Sequence, residues 1–374
     1  MKLSLAQLKS VMATYVAENK ISVDTFSETR NNSVSLLDTI GKIFTIPSNI
    51  VDKLDIFNAE FLSFGKTIEE WKSDLILPED YNASGDGAMS PHRGTYRPVD
   101  FSYTLGRKKI PQTIDNNDVE RAVHNEAQFV EIIADKYKVI TDSETAMIYQ
   151  IKRQALGVLV ARCIAQMTAS NATAWTDANH TGVGDLYKEN GGATATYILV
   201  KPYTAGDASN FADAVAKGYL ILNDLVTEIA KPVDTSTGEA FVKQVKKDVE
   251  VAGDLSEGHS LNGNTLGVSN ENLVLILVQG INPVIDVDVL AGAFHTDKVA
   301  LPSELKVIKD FGNDNSGAFA ILMDKRGMKL FNTYRAVREN VNGDGDFLNL
   351  FAHSEWTAHI SRNVFVKVYK PSAE

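Results

Sequence analysis

The sequence predicts a mixed α+β fold on three observations. The first is a long helix over Thr141–Ala169. There apolar residues recur at Met147, Ile148, Ile151, Ala155, Val158, Leu159 and Met167, the spacing of one helical face. The second is a pair of continuous apolar runs, Leu273–Val278 and Ala318–Met323, with the length and composition of strands covered on both faces. The third is a long two-stranded excursion, Phe64–Leu77 outward and Tyr96–Ile114 back. Its tip, Asn82–Gly94, is rich in Gly, Pro, Ser and Asn.

The long helix is expected to open in a capping box formed by Thr141 and Glu144. From Gly157 to Ile164 it is apolar nearly all round, broken only by Arg162, so protein must cover most of its sides. At a rise of 1.5 Å per residue it would run about 40 Å, long enough to act as a spine for other elements.

Composition narrows the function classes. A chain of 374 residues can bury one large core or two modest ones, and 44% apolar with 23% charged residues is ordinary for a folded globular protein. The net charge of −11 argues against a primary role in gripping nucleic-acid phosphates. The lone cysteine, Cys163, excludes an intramolecular disulfide framework and a cysteine-built zinc site. Its place on the buried side of the spine marks it as a core thiol. Leu5, Leu8, Met12 and Tyr15 sit at helical spacing, but Gln7, Lys9 and Ser10 interrupt them, so Leu3–Glu18 is not a secretory signal. No run approaches the ~20 apolar residues that span a bilayer. A soluble, intracellularly made protein with no membrane partner is expected.

In chain order, residues 1–60 read as a short amphipathic helix followed by an irregular greasy arm. The arm either lies on other surfaces or forms a peripheral subdomain of the same chain. Residues 61–115 form the excursion. Its outgoing limb carries Glu69, Glu70, Asp74, Glu79 and Asp80; the return carries Arg93, Arg97, Arg107, Lys108 and Lys109. A hairpin with little to pack on is marginal alone. Two readings stand: a solvated hairpin charged for solubility, or a ribbon lying on a neighbouring molecule, where opposite charges fix register. Residues 116–203 hold a helix at Val119–Tyr137, the spine, and a strand at Thr194–Val200.

Residues 204–332 read as a distinct α/β unit. A helix from Phe211 through Val215, Tyr219, Leu222 and Val226 to Ile229 is closed by Pro232. The polar stretch Asp234–Asn272 is taken as a surface insertion. A short helix at Val287–His295 and a strand at Leu305–Ile308 lie between the two apolar runs. Residues 333–374 return to strands: Tyr334–Asn340 and Phe347–Trp356 around a turn, then Asn363–Tyr369, which is expected to pair with Thr194–Val200.

The motif search yields no catalytic, cofactor or metal site. The chain has no G-x-S-x-G, no P-loop and no H-E-x-x-H, and its seven histidines are dispersed. Asn340–Asp346 places oxygen ligands at alternate positions like the start of a calcium loop. The twelfth position is Phe351 instead of a bidentate acid, so a hairpin turn is the reading adopted. Arg107-Lys108-Lys109 is too small a footprint for nucleic acid.

Several stretches together resemble a family. Gly65–Trp71 (GKTIEEW), after an apolar arm, looks like the start of the extended loop in major capsid proteins of tailed bacteriophages. Asp286–Phe294 (DVDVLAGAF) looks like the axial-domain helix of the phi 29 type of podophage capsid protein. Leu305–Phe311, Ala320–Lys325 and the closing strands of Ser354–Tyr369 follow in that group's order. The resemblance implies the Hong Kong 97 capsid fold: an N-terminal arm (1–60), an extended loop (61–115), a peripheral domain with the spine helix (116–203 and 333–374) and an inserted axial domain (204–332). It implies a structural subunit, not an enzyme, and no cofactor.

The same resemblance implies copies joined as hexamers and pentamers of an icosahedral or prolate head shell around double-stranded DNA. Scaffold and portal proteins would be partners, the packaged DNA would be touched only loosely, and the protein would be made in the host bacterial cytoplasm and end in the virion. Glu69, Glu70, Asp74, Arg97, Arg107, Lys108 and Lys109 are the expected intersubunit contacts. No immunoglobulin-like appendage is expected after the closing strands. Lys66 lacks the acid–asparagine context of the relatives that cross-link covalently. Two rivals are an encapsulin-like cellular compartment, which shares the fold, and a soluble α/β enzyme.

Overall fold

The chain divides into two compact units, Met1–Ser48 and Asn49–Glu374. The computed structural model describes residues 50–372 except 64, 66–67, 74–95, 101, 116–125, 192–194, 255, 266, 286–303, 313–315 and 346. The greasy arm up to residue 49, the tip of the excursion and the helix expected at Val287–His295 therefore lie outside the described residues.

In order, the elements are β1 (Asn58–Phe61), β2 (Glu69–Ser73), β3 (Tyr96–Asp100), β4 (Ser102–Asp115), α1 (Glu126–Met167), β5 (Thr173–Ala174), β6 (Leu186–Lys188), β7 (Tyr197–Leu199), α2 (Phe211–Ala216), β8 (Leu220–Leu222), β9 (Val226–Glu228) and α3 (Thr235–Gly253). Then follow β10 (Ser256–Glu257), β11 (Asn264–Thr265), β12 (Leu273–Val278), β13 (Glu304–Ile308), β14 (Ala320–Asp324), β15 (Met328–Asn342), β16 (Phe347–Ile360) and β17 (Val366–Lys370).

The spine is longer than the sequence suggested. α1 runs unbroken for 42 residues, roughly 60 Å, and the two helices expected at Val119–Tyr137 and from Thr141 are one element in the described range. Thr141 and Glu144 are interior, so no capping box forms there. The polar interval between the two apolar blocks is only the outer side of the helix, for Ile140 and Glu144 within it are buried. Glu144 accepts a hydrogen bond from Arg335 at 2.7 Å. The buried stripe continues through Lys152, Leu156, Leu159, Val160 and Cys163.

Above the spine lies a five-stranded sheet, β13-β12-β14-β17-β9, with β12/β13 and β17/β9 parallel and the other pairs antiparallel. Alternation along its strands sends Val274, Ile276, Ile321, Met323, Val366 and Val368 into one core with Leu156, Leu159, Val160 and Cys163 of α1. It sends Leu273, Leu275, Leu277, Leu322 and Tyr369 into a second core with Phe241, Val242 and Val245 of α3. The sheet is thus the middle of a helix–sheet–helix sandwich, which is why its strands read as unbroken apolar runs. Each fully buried aliphatic side chain in it contributes about 1.5–3 kcal/mol of transfer free energy.

Three expectations are corrected here. The region Asp234–Asn272 is not a mere surface insertion. Asp234 caps α3 in a reciprocal box with Thr237, and Phe241, Val242, Val245 and Ala252 of that helix are buried. The long helix from Phe211 to Ile229 is really the short α2 followed by β8 and β9. Gly218, at φ +65°, takes the left-handed turn that ends the helix, and the later apolar residues belong to strands. The closing strand β17 pairs with β14 and β9, not with Thr194–Val200, because β7 is already held between β6 and β8.

A four-stranded sheet, β1-β15-β16-β4, extends from the sandwich. The β15–β16 hairpin closes at Asn342↔Phe347, where Asn342 Oδ1 accepts from the amides of Asp344 (3.0 Å) and Gly345 (3.1 Å). That is the hairpin turn expected in place of a calcium loop. At the root of this sheet the fully buried Lys152 donates to the carboxylate of Asp52, to Leu54 O (2.9 Å) and to Asn58 Oδ1 (2.5 Å), pinning the entering chain to the spine. Burial pulls the Lys152 ammonium below its usual range and the Asp52 carboxylate partly offsets this.

Candidate assembly surface

The excursion is two different ribbons. β2 and β3 pair with each other from Glu69↔Asp100 to Ser73↔Tyr96. Beyond residue 101 the return limb leaves that pairing, and β4 becomes the edge of the four-stranded sheet, antiparallel to β16 from Ser102↔His359 to Asp115↔Phe347. Sequence alone, which placed Phe64–Leu77 against all of Tyr96–Ile114, missed this exchange of partners. The cause is that β16 offers β4 a longer ladder than β2 can.

The register of the first ribbon puts like charges opposite each other: Glu69 faces Asp100 and Lys72 faces Arg97. Like charges directly opposite weaken a hairpin slightly. One residue ties it down. Glu70 Oε1 accepts from Ser361 Oγ (2.7 Å) and Asn363 Nδ2 (3.0 Å), and His359 Nε2 lies 3.3 Å from Oε2. Burial alone would raise the Glu70 carboxyl, but the contacts with His359, Ser361 and Asn363 outweigh it and hold the group below the usual range. No sequence signal announced this clasp, for Ser361 is 291 residues away.

On the second ribbon, Arg107 lies 3.5 Å from Glu355 and 3.9 Å from the centroid of the Tyr334 ring. Lys109 sits 5.3 Å from the centroid of the Phe351 ring. Both belong to one face of the sheet, since Arg107 and Lys109 alternate with Lys108 along β4. Lys108 and Glu69 are exposed. Of the seven residues expected at subunit contacts, Glu70, Arg107 and Lys109 thus already hold contacts within the chain. Arg97 is placed by register alone, and Asp74 lies outside the described residues.

Cys163 is fully buried and its thiol is pushed up to about 12 by desolvation, as befits a core residue. Among the described residues no group of three His, Cys, Asp or Glu side chains could hold a metal ion, and no helix is long and apolar enough to cross a membrane. Asp224, between Lys367 Nζ (2.5 Å) and His259 Nε2 (3.3 Å), joins β9 to β17 at their root.

No curated protein matches the sequence. Among solved structures, the capsid of Staphylococcus phage Andhra is similar over 89% of this chain and 88% of its own, with a TM-score of 0.59 at 10% identity. The capsid of cyanophage P-SCSP1u is similar over 89% and 92%, with a TM-score of 0.50 at 8% identity. Likeness at such low identity establishes a shared fold, an α+β arrangement found in phage capsids. The profile of the Phi29-like phage major capsid protein family matches residues 3–366 and lends nothing to the cellular-compartment alternative. The chain is therefore a structural protein of the virion, a member of the Phi29-like phage major capsid protein family.

Proposed function

We propose that this chain is the repeating subunit of a Hong Kong 97-type head shell, joined in hexamers and pentamers around double-stranded DNA. In this reading residues 1–60 are the N-terminal arm and 61–115 the extended loop. Residues 116–203 and 333–374 form the peripheral domain, and 204–332 the axial domain. Strands from the last two ranges share sheets, so the boundary follows the course of the chain and not separate cores. Scaffold and portal proteins are the further partners, and the acidic chain leaves packaged DNA loosely held. Synthesis takes place in the host bacterial cytoplasm.

The observation that carries the reading is the β2–β3 ribbon. Its cross-strand register opposes like charges, while Glu69 stands exposed on it and Lys108 on the neighbouring strand β4. A neighbouring copy that supplies the opposite charge relieves both, so the loop is expected to lie over an adjacent subunit. Because Glu70 and Arg107 work within the chain, the informative variants are Glu69→Lys and Lys108→Glu. Each is expected to leave the subunit folded and to abolish shells in negative-stain microscopy of the purified protein. Unchanged shells in both would refute the overlap. Shells filled with enzyme cargo instead of DNA would refute the phage-head reading.

A further inference from the structure

Among the described residues, the four-stranded sheet has two edges without a partner strand, and they differ in character. Along β4, the edge carries Pro111, which has no N–H to offer, and three successive cations at Arg107–Lys109. Both devices discourage another strand from adding. Along β15 these devices are weaker, for its two outer cations, Arg335 and Arg338, are interleaved with Val337 and offset by Glu339. β1 pairs with it only between Leu330 and Asn332, and from Tyr334 to Asn342 no described strand lies on its outer side. That stretch contains no proline and no lysine, and it displays Val337 and Val341 at 54% and 75% exposure.

We propose that this edge pairs with the same edge of a second copy, antiparallel about a two-fold axis through Val337. Two strands related by a two-fold within one sheet require the axis to be normal to the sheet, so every residue meets one from its own face. Centring the pair on Arg338 or Glu339 sets that charge against its own copy. Centring on Ala336 or Asn340 leaves the charges unmatched. Centring on Val337 places Val337 against Val337 and, on the same face, Arg335 against Glu339 twice. Arg335 already donates one N–H to Glu144 and keeps further donors for the partner's Glu339. The edge is thus self-complementary in one register, while the opposite edge is blunted. The contact requires copies to assemble, as capsid subunits do, but not the loop overlap proposed above.

The test uses the full-length chain assembled into particles. With Cys163 buried, Val337→Cys supplies the only accessible described thiol, and diamide oxidation is expected to give disulfide-linked dimers on non-reducing electrophoresis. Val341→Cys, which this register places opposite Thr333, is expected to stay monomeric. Adding Glu339→Lys to Val337→Cys should cut the dimer yield about tenfold or more, the effect of setting like charges together at a weak contact. Independently of any variant, amide hydrogen exchange across residues 334–342 of the unaltered chain should slow at least about tenfold between free subunit and particle. Particles in which Val337→Cys fails to link, or links no better than Val341→Cys, overturn the register. Absence of slowing across 334–342 overturns the pairing altogether, while leaving the loop overlap to its own test.

Discussion

In the five-stranded sheet, the side chains from Leu273 through Leu277 are all fully covered, alternately by α1 and α3. In the four-stranded sheet, β15 at its start and β16 at its end are similarly well covered, at Met328, Leu330, Ala358 and Ile360. They then run outward until Val337 and Val341 stand more than half exposed. The first sheet finishes its packing inside one molecule. The second keeps its ladder hydrogen bonds, but among the described residues the outer edge of β15 beyond Asn332 has no partner strand. If the proposed edge pairing holds, subunit stability and that contact are separable, the first resting on the five-stranded sheet and the second on the far end of β15.

Substitutions can sharpen that contrast in unassembled subunits. Leu275→Ala, on the α3 side of the central sheet, is expected to cost about 4 kcal/mol in denaturant unfolding, the transfer and cavity terms of a large core truncation. Lys152→Ala should cost about 3 kcal/mol, because Asp52 and two further acceptors at the root of the ribbon lose a buried cation.

Asp224→Asn should cost about 2 kcal/mol, discounted because the carboxylate is half exposed. The Asp224 effect carries a pH signature. Burial would raise this carboxyl, but His259 and Lys367 hold it well below the usual range. Its stabilisation is therefore complete above about pH 4 and fades as the pH falls further, and Asn at this position should flatten that acid limb.

Glu70→Gln is expected to cost about 1 kcal/mol and to act locally. Hydrogen exchange should quicken in Glu69–Ser73 and Tyr96–Asp100 with the sandwich unchanged, and acidification below about pH 4.3 should loosen the same strands in the unaltered chain. Val337→Ala should change subunit stability by under about 0.5 kcal/mol. A large loss there would show that the ribbon's far end is already packed and would erase the contrast between the sheets.

Much of the fold was legible because its signals are local. β12, β14 and β13 announce themselves as apolar runs, the β15–β16 hairpin by its Asn-Gly-Asp-Gly turn, and the second half of α1 by periodicity. α3 is legible only in part. Asp234 and Thr237 form its cap, but the lysines on its outer face obscured the stripe of Phe241, Val242 and Val245. The opposite error came at Phe211–Ile229, where apolar residues at helical spacing belong partly to two strands. Gly218 was the punctuation that mattered there. As for the candidate surface, the charges of the excursion could be read directly, but not which of them the chain uses itself.

The amino-acid sequence by itself determined the second half of the spine, the apolar strands, the closing hairpin and the absence of recognisable catalytic motifs, since each depends on residues within a few turns or a single strand of one another. Only the tertiary structure decided that β4 leaves β2 for β16, that the closing strand joins β14 and β9, and that Glu70 is bound by Ser361 and Asn363. Strand partners and buried polar contacts are chosen among distant segments by which pairing buries the most apolar surface with every hydrogen bond satisfied, and no short window of sequence contains that competition.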